Sequence, residues 1–175
     1  GTVLIPYSTR PGSKPLLLRH GNLTVRERFH HQAERYRFLS GAYIDREALI
    51  AGHDATLLLR PQLLLNGVAA SLSLLQEPRL VITTSDRHGV SASKEIADLD
   101  IDLGAAQDCA VGFRVPPDLA EVHWRLEAKV RCVSEQRDVD LAVERRLVVN
   151  LVDRTPATAC FHLSRCQDGY RVSLL

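Results

Sequence analysis

Residues 122–132, which read VHWRLEAKVRC, decide the fold because their apolar and polar side chains alternate without interruption. Six apolar residues occupy the even-numbered positions, and five polar or charged residues occupy the odd-numbered ones. A helix would scatter the apolar side chains around its circumference, whereas a strand places all of them on one face. We therefore predict a strand with one buried face, in which Trp124, the only tryptophan, anchors the core.

Shorter runs with the same period lie on both sides of this stretch, and turn-forming residues separate them. The runs are Leu80–Thr84, Cys109–Val115, Val139–Val149 and Tyr170–Leu174. Asn66-Gly67 suits a type I′ turn, and Asp86–Gly89 and Pro116–Asp118 also interrupt the strands. About seven short strands between Tyr43 and Asn150 predict an all-β, antiparallel β-sandwich.

The two ends of the chain differ from this middle part. Before residue 42 we predict short strands over Thr2–Tyr7 and Pro15–His20 and, from apolar residues at helical spacing, a short helix over about 25–36. After residue 150 we predict a linker and a hairpin that begins a following domain. The resulting division is an N-terminal segment (1–41), a sandwich (42–150) and a linker with a hairpin (151–175). Because the chain has no Met and its last residues alternate like a strand, we interpret it as a fragment of a longer protein.

Composition excludes several classes of protein. The net charge of the 175 residues is +1, so we expect no nucleic-acid partner, although the first 40 residues are rich in arginine. No apolar run approaches the ~20 residues that a membrane helix needs, and the first residues do not resemble a signal peptide. The four cysteines contain no CxxC pair, which argues against a zinc ribbon, and they leave disulfides and buried thiols as alternatives: Cys109, Cys132, Cys160 and Cys166.

One combination of residues is compatible with a hydrolase. Arg19-His20-Gly21 follows an apolar run, as in the loop that forms an oxyanion hole, and Gly89-Val90-Ser91 begins an incomplete nucleophile elbow. The residues after Ser91 alternate like a strand, although an elbow must lead into a helix. A hydrolase-like enzyme that uses His20 and Ser91 is therefore the alternative to a non-catalytic module.

Two clusters contain residues that could bind a metal ion, but the sequence around each favours an ordinary solvated surface over a metal site. Glu27, His31 and Glu34 would share one face of the predicted helix, but they lack the pattern of a zinc protease. Asp98, Asp100 and Asp102 lack the glycine and the final glutamate of a calcium loop, and they predict the exposed side of an edge strand. We predict no catalytic, cofactor-binding or metal-binding residues.

The order of the motifs over residues 42–150 resembles macroglobulin domains of the α2-macroglobulin superfamily, of bacterial type. An aromatic-x-Asp-Arg step at Tyr43–Arg46 is followed by a turn that closes on Gly52 and by an apolar strand. Residues 79–90 resemble the strand–Asp–x–x–Gly hairpin of these domains, and residues 112–124 resemble their Phe-x-Leu-Pro segment. Cys132-Val-Ser-Glu-Gln136 does not match the thioester motif of the superfamily, because its spacing is too long and it lacks the flanking glycines.

This resemblance implies a fibronectin- or immunoglobulin-like sandwich that is repeated along a large extracytoplasmic protein (periplasmic, cell-surface or secreted). Its implied role is structural or in protein–protein interaction, without a cofactor and without catalysis. The implied partners are the neighbouring domains of the parent chain and a protein ligand.

Overall fold

A computed structural model of the chain describes residues 2–101, 108–149, 161–166 and 169–174, and almost all of its regular structure is antiparallel strand. One turn of 3-10 helix, Leu72–Leu74, follows β5. The strands are β1 (Gly12–His20), β2 (Leu23–His31), β3 (Tyr36–Ile44), β4 (Asp54–Leu65), β5 (Val68–Ala70), β6 (Leu75–Asp86), β7 (Ser91–Ile96), β8 (Cys109–Arg114), β9 (Leu119–Cys132), β10 (Arg137–Val148), β11 (Phe161–Cys166) and β12 (Gly169–Leu174).

Two four-stranded sheets form the body of the molecule. In sheet I, β4 is central: β3 pairs along one side of it, and β5 and β8 pair along the other side. In sheet II the order is β10-β9-β6-β7. The prediction of an antiparallel β-sandwich agrees with this arrangement.

The core lies between the inner faces of the two sheets. On β9 the even-numbered residues from Val122 to Cys132 are buried, and Val122, Trp124 and Leu126 are at most 2% exposed. Sheet I contributes Leu57 and Leu59, which are buried to the same degree and belong to the same apolar cluster. Removing this apolar area from water stabilises the fold by about 25 cal/mol per Å².

Local turn chemistry sets the register of the strands. Asn66 and Gly67 have φ angles of 51° and 85°, as a type I′ turn requires, and they join β4 to β5 where Leu65 pairs with Val68. In the β6–β7 turn, Oδ1 of Asp86 accepts hydrogen bonds from the backbone N–H groups of His88 and Val90, each at 2.8 Å. Both turns lie where the sequence predicts them.

The N-terminal segment contains no helix, so the helix predicted over residues 25–36 is wrong. β2 spans most of this range and pairs with β1 from Gly12↔His31 to His20↔Leu23. The strand prevails because Gly21, with φ 57°, turns the chain back, and because the apolar residues of β2 also fit a period of two. The strand predicted over Thr2–Tyr7 is also wrong; the first bridge is at Ser8, whose N–H donates to the carbonyl of Gln32 at 2.9 Å.

The acidic segment after β7 is not an edge strand, contrary to the prediction. β7 ends at Ile96, and the chain then turns inward, so that Leu99 and Ile101 are 8% and 7% exposed. The N–H of Leu99 donates to the carbonyl of Pro78 at 2.9 Å, and this hydrogen bond holds the inward-turning segment in place. Asp102 lies outside the described residues.

The C-terminal hairpin predicted within residues 151–175 is present as β11 and β12. The linker predicted before it, with Cys160, lies outside the described residues. Cys109 and Cys132 are buried free thiols, which fits the core alternative for these two residues. Within the described part of the chain, no helix has the length and apolarity to cross a membrane.

Candidate interaction surfaces

A cleft of about 720 Å³ lies where the edge of β3 approaches the edge of β10. The inward positions of β3 between buried Phe38 and Ile44 are occupied by the small residues Ser40 and Ala42. These short side chains do not fill the space between the sheets, and Trp124 of β9 forms part of the cleft wall. The sandwich is therefore open along this margin. We call this space the β3–β10 cleft.

Arg145 interrupts the apolar inner face of β10 at this cleft. Val143 and Leu147, two residues before and after it, pack against the core, so Arg145 occupies an inward position. It pairs in register with Trp124 and lines the cleft. No carboxylate of the described residues lies within ion-pair distance of its guanidinium, whereas neighbouring Arg146, on the outer face, pairs with Glu121.

Glu34 fastens the segment before β3 to the β9–β10 turn. Its carboxylate accepts hydrogen bonds from the backbone N–H groups of Ser134 at 2.7 Å and Val133 at 3.1 Å, and from the hydroxyl of Tyr36 at 2.8 Å. Burial acts to raise the pKa of Glu34, but these hydrogen bonds outweigh it and lower the pKa to about 2. Burial and the hydrogen bond to Glu34 raise the pKa of Tyr36 to about 12.

The outer face of sheet II carries charges of both signs that are already paired. Arg79 contacts Glu127 and Glu95, and Lys129 donates to Glu77 at 2.6 Å. The hydrogen bonds from Arg79 and Arg125 lower the pKa of Glu127. A depression of about 770 Å³ lies over these residues, but a charged ligand there would have to displace existing ion pairs.

The β1–β2 hairpin presents apolar side chains to solvent. Leu17 and Leu23 are 67% and 66% exposed, and Leu18 and Val25 are also exposed. In the described structure, β1 pairs with β2 alone. The register places Leu18, Leu23 and Val25 on one face of the hairpin and Leu17 on the other. A cluster of exposed apolar residues on one face marks a contact surface for other proteins or domains.

His20 and Ser91, the two residues of the predicted hydrolase alternative, lie in different sheets and do not form a common site. His20 is at the exposed tip of the β1–β2 hairpin, whereas Ser91 begins β7 in sheet II. The hydroxyl of Ser91 shares a hydrogen bond of 2.7 Å with that of Ser85, and the chain after it is a strand. The strand–turn–helix that exposes a nucleophile in hydrolases is thus absent at this position.

The three residues of the predicted helical ligand face are distributed differently, because that helix does not form. Glu27 and His31 are on β2, His31 lies 2.6 Å from the carbonyl of Pro6, and Glu34 is engaged by the β9–β10 turn. Over the described residues, no three His, Cys, Asp or Glu side chains are grouped as a metal site.

Arg145 was not among the residues that the sequence singled out, and Glu34 was considered only as a possible metal ligand. For Arg145 a signal was present, because an arginine replaces an apolar residue in an alternating run. For Glu34 there was no such signal, since its partners are backbone groups about 100 residues away in the chain.

Comparison with known proteins gives two matches. The model of a family described as the AbpF third immunoglobulin-like domain matches residues 45–155, more than half of the chain. A curated protein named "Actin-binding protein F", from Dictyostelium discoideum, is 30% identical over 179 residues. That alignment covers 97% of this chain but only 8% of the length of the relative. No solved structure matches.

These matches correct the predicted kinship and location. They support an immunoglobulin-like domain, not a macroglobulin domain of bacterial type. Both domain types are sandwiches of short alternating strands, so the order of the motifs could not separate them. The predicted extracytoplasmic location is wrong: the relative is by name an actin-binding protein, and actin filaments are structures of the cell interior.

Proposed function

Because the chain belongs to the family of the AbpF third immunoglobulin-like domain, we propose that it is a non-catalytic interaction module of a longer, actin-associated protein. The observation that carries this proposal is the apolar filling between the two sheets, which leaves contact surfaces outside it rather than an enclosed reaction site. Immunoglobulin-like sandwiches present edges and loops on such a rigid support.

The exposed apolar hairpin supports contact with neighbouring domains of the parent chain. Two-stranded hairpins are marginally stable alone, and cover from another domain would remove Leu18, Leu23 and Val25, which share one face, from water. The division into an N-terminal segment (1–41), a sandwich (42–150) and a linker with a hairpin (151–175) remains part of this proposal. β3, which begins at Tyr36, spans the first of these boundaries.

Co-sedimentation with actin filaments tests the interaction role. The 175-residue chain is mixed with a series of filament concentrations at near-physiological salt, and the pelleted fraction is measured against a tube without filaments. We expect a saturable rise in the pelleted fraction. A chain that stays in the supernatant at every filament concentration contradicts direct association with actin.

Two variants separate this role from the hydrolase alternative. Ser91→Ala and His20→Ala should pellet with filaments as the parent chain does, because neither side chain takes part in the core. Any hydrolysis of an activated ester by the parent chain should persist unchanged in both variants. Loss of that hydrolysis in both variants would instead support an enzyme.

A further inference from the structure

We propose that the β3–β10 cleft binds an extended acidic peptide, which adds to the free edge of β10 and places a carboxylate beside Arg145. The inference rests on the proposed interaction role and specifies the chemistry of the partner. The surface of the cleft consists of residues on β3, β9 and β10, together with Asp45, Arg46 and Glu47 in the segment after β3.

The first step is the availability of the strand edge. β10 pairs with β9 alone over the described residues, although it is twelve residues long. The backbone N–H and C=O groups on its other side are therefore open to a further strand. Strand addition to an exposed sheet edge is a general way in which domains bind extended peptides.

The second step is the space that is available for a strand added to β10. A strand added to β10 would lie about 4.8 Å from it and roughly 10 Å from sheet I, above the inner face of β3. There the residues of β3 are Ser40 and Ala42, and the cleft volume is about 720 Å³. Alternate side chains of the added strand would therefore enter the cleft, whose wall includes the small exposed part of Trp124.

The third step is charge. An inward-pointing charge on an edge strand opposes unselective pairing, because most incoming strands would leave it desolvated without a partner. Arg145 is such a charge. A glutamate or aspartate opposite it, at a Cβ–Cβ distance of about 5 Å, would form a charged pair. Because Asp45 and Glu47 also line the cleft, an acidic residue is favoured only opposite Arg145. The cleft therefore selects a strand with an acidic residue at that one inward position.

The proposed test uses Trp124, whose emission reports on the cleft because the chain has no other tryptophan. The probe is a nine-residue synthetic peptide in which threonine and valine alternate and the central valine is replaced by glutamate. We expect a saturable change in Trp124 emission. Arg145→Glu should weaken binding at least tenfold and should then favour the same peptide with lysine in place of glutamate.

A matched control and a second variant separate the cleft from general effects. Arg19→Glu makes the same charge change on the exposed β1–β2 hairpin and should leave binding unchanged. Ala42→Leu fills the cleft at an exposed position and should weaken binding without lowering the melting temperature. Equal weakening by Arg145→Glu and Arg19→Glu would overturn the proposal, as would a glutamate peptide that produces no saturable change.

A second copy of the chain is the competing occupant. Sedimentation equilibrium of the parent chain should show a monomer in this concentration range. If the chain dimerises and Ala42→Leu abolishes the dimer, the cleft is an interface between copies and the proposal is wrong. The titration contains no actin, so its failure leaves the co-sedimentation result standing, and the reverse also holds.

Discussion

β9 and β2, the second strand of the β1–β2 hairpin, both carry apolar residues at alternate positions but lie in opposite surroundings. On β9, Val122 and Leu126 are 0% exposed, whereas in the hairpin Leu17 and Leu23 are 67% and 66% exposed. β9 lies inside sheet II, between β6 and β10, and faces sheet I across the core. The hairpin strands pair only with each other in the described structure. Alternation thus defines the apolar face of a strand, but a second sheet is needed to bury it.

The largest expected difference between the two regions comes from removing the same side chain in each. Leu126→Ala should lower the free energy of unfolding by about 3 kcal/mol, because it leaves a cavity between the sheets. Leu17→Ala should change it by less than about 0.5 kcal/mol, since that side chain is already in water. Urea denaturation followed by Trp124 emission measures both. Equal losses in the two variants would mean that the hairpin face is covered in solution.

A smaller effect is expected from replacing Glu34. Its hydrogen bonds connect the segment after the hairpin to the turn after β9. Glu34→Gln should lower the free energy of unfolding at pH 7 by about 1 kcal/mol, because a neutral amide is a weaker acceptor and partial exposure lets water screen the loss. Glu27→Gln, at an exposed position of the hairpin, is the matched control and should have no measurable effect. Urea denaturation of the three proteins provides the comparison.

The contribution of Glu34 should also depend on pH. The folded-state pKa of about 2 lies below the ordinary value of 4.5, so the charged carboxylate stabilises the fold above about pH 4.5. This stability is lost as the pH falls from about 5 to about 2. The parent chain and Glu34→Gln should therefore converge in stability near pH 2. A difference that stays constant across this window would show that the carboxylate charge is not responsible.

The smallest effect is expected on the outer face of sheet II. Arg79→Ala removes ion pairs to Glu95 and Glu127, but its side chain is in water and the pairs are screened. We expect a smaller fall in melting temperature than for Glu34→Gln, and at about 1 M NaCl, where the Debye length is about 3 Å, no fall at all. A fall that persists in high salt would assign Arg79 a packing role instead.

The sequence predicted those parts of the fold in which local pattern and tertiary packing agree. The strand around Trp124, the turn at Asn66-Gly67 and the inward residues of β10 before Arg145 are of this kind. The prediction of a helix over residues 25–36 failed because the few apolar residues there fit both a period of two and helical spacing. Pairing with β1, which no local pattern encodes, decided between the two.

The candidate site was less predictable than the fold. Arg145 is recognisable in the sequence as a charge in an apolar run, but the cleft beside it depends on Ser40 and Ala42 of a strand about 100 residues earlier. The hydrogen bonds of Glu34 to the β9–β10 turn span the same distance in the chain. Such contacts exist only once the two sheets have packed.

Hydrogen exchange of the free chain, followed by mass spectrometry of peptide fragments, tests the contrast between the two regions most directly. Amides of β9 should exchange only through global unfolding, because the strand is paired on both sides and buried on one face. Amides of β1 and β2 should exchange orders of magnitude faster, through local opening of an uncovered hairpin. Equal protection of β9 and the hairpin would contradict a self-supporting sandwich with an exposed contact segment.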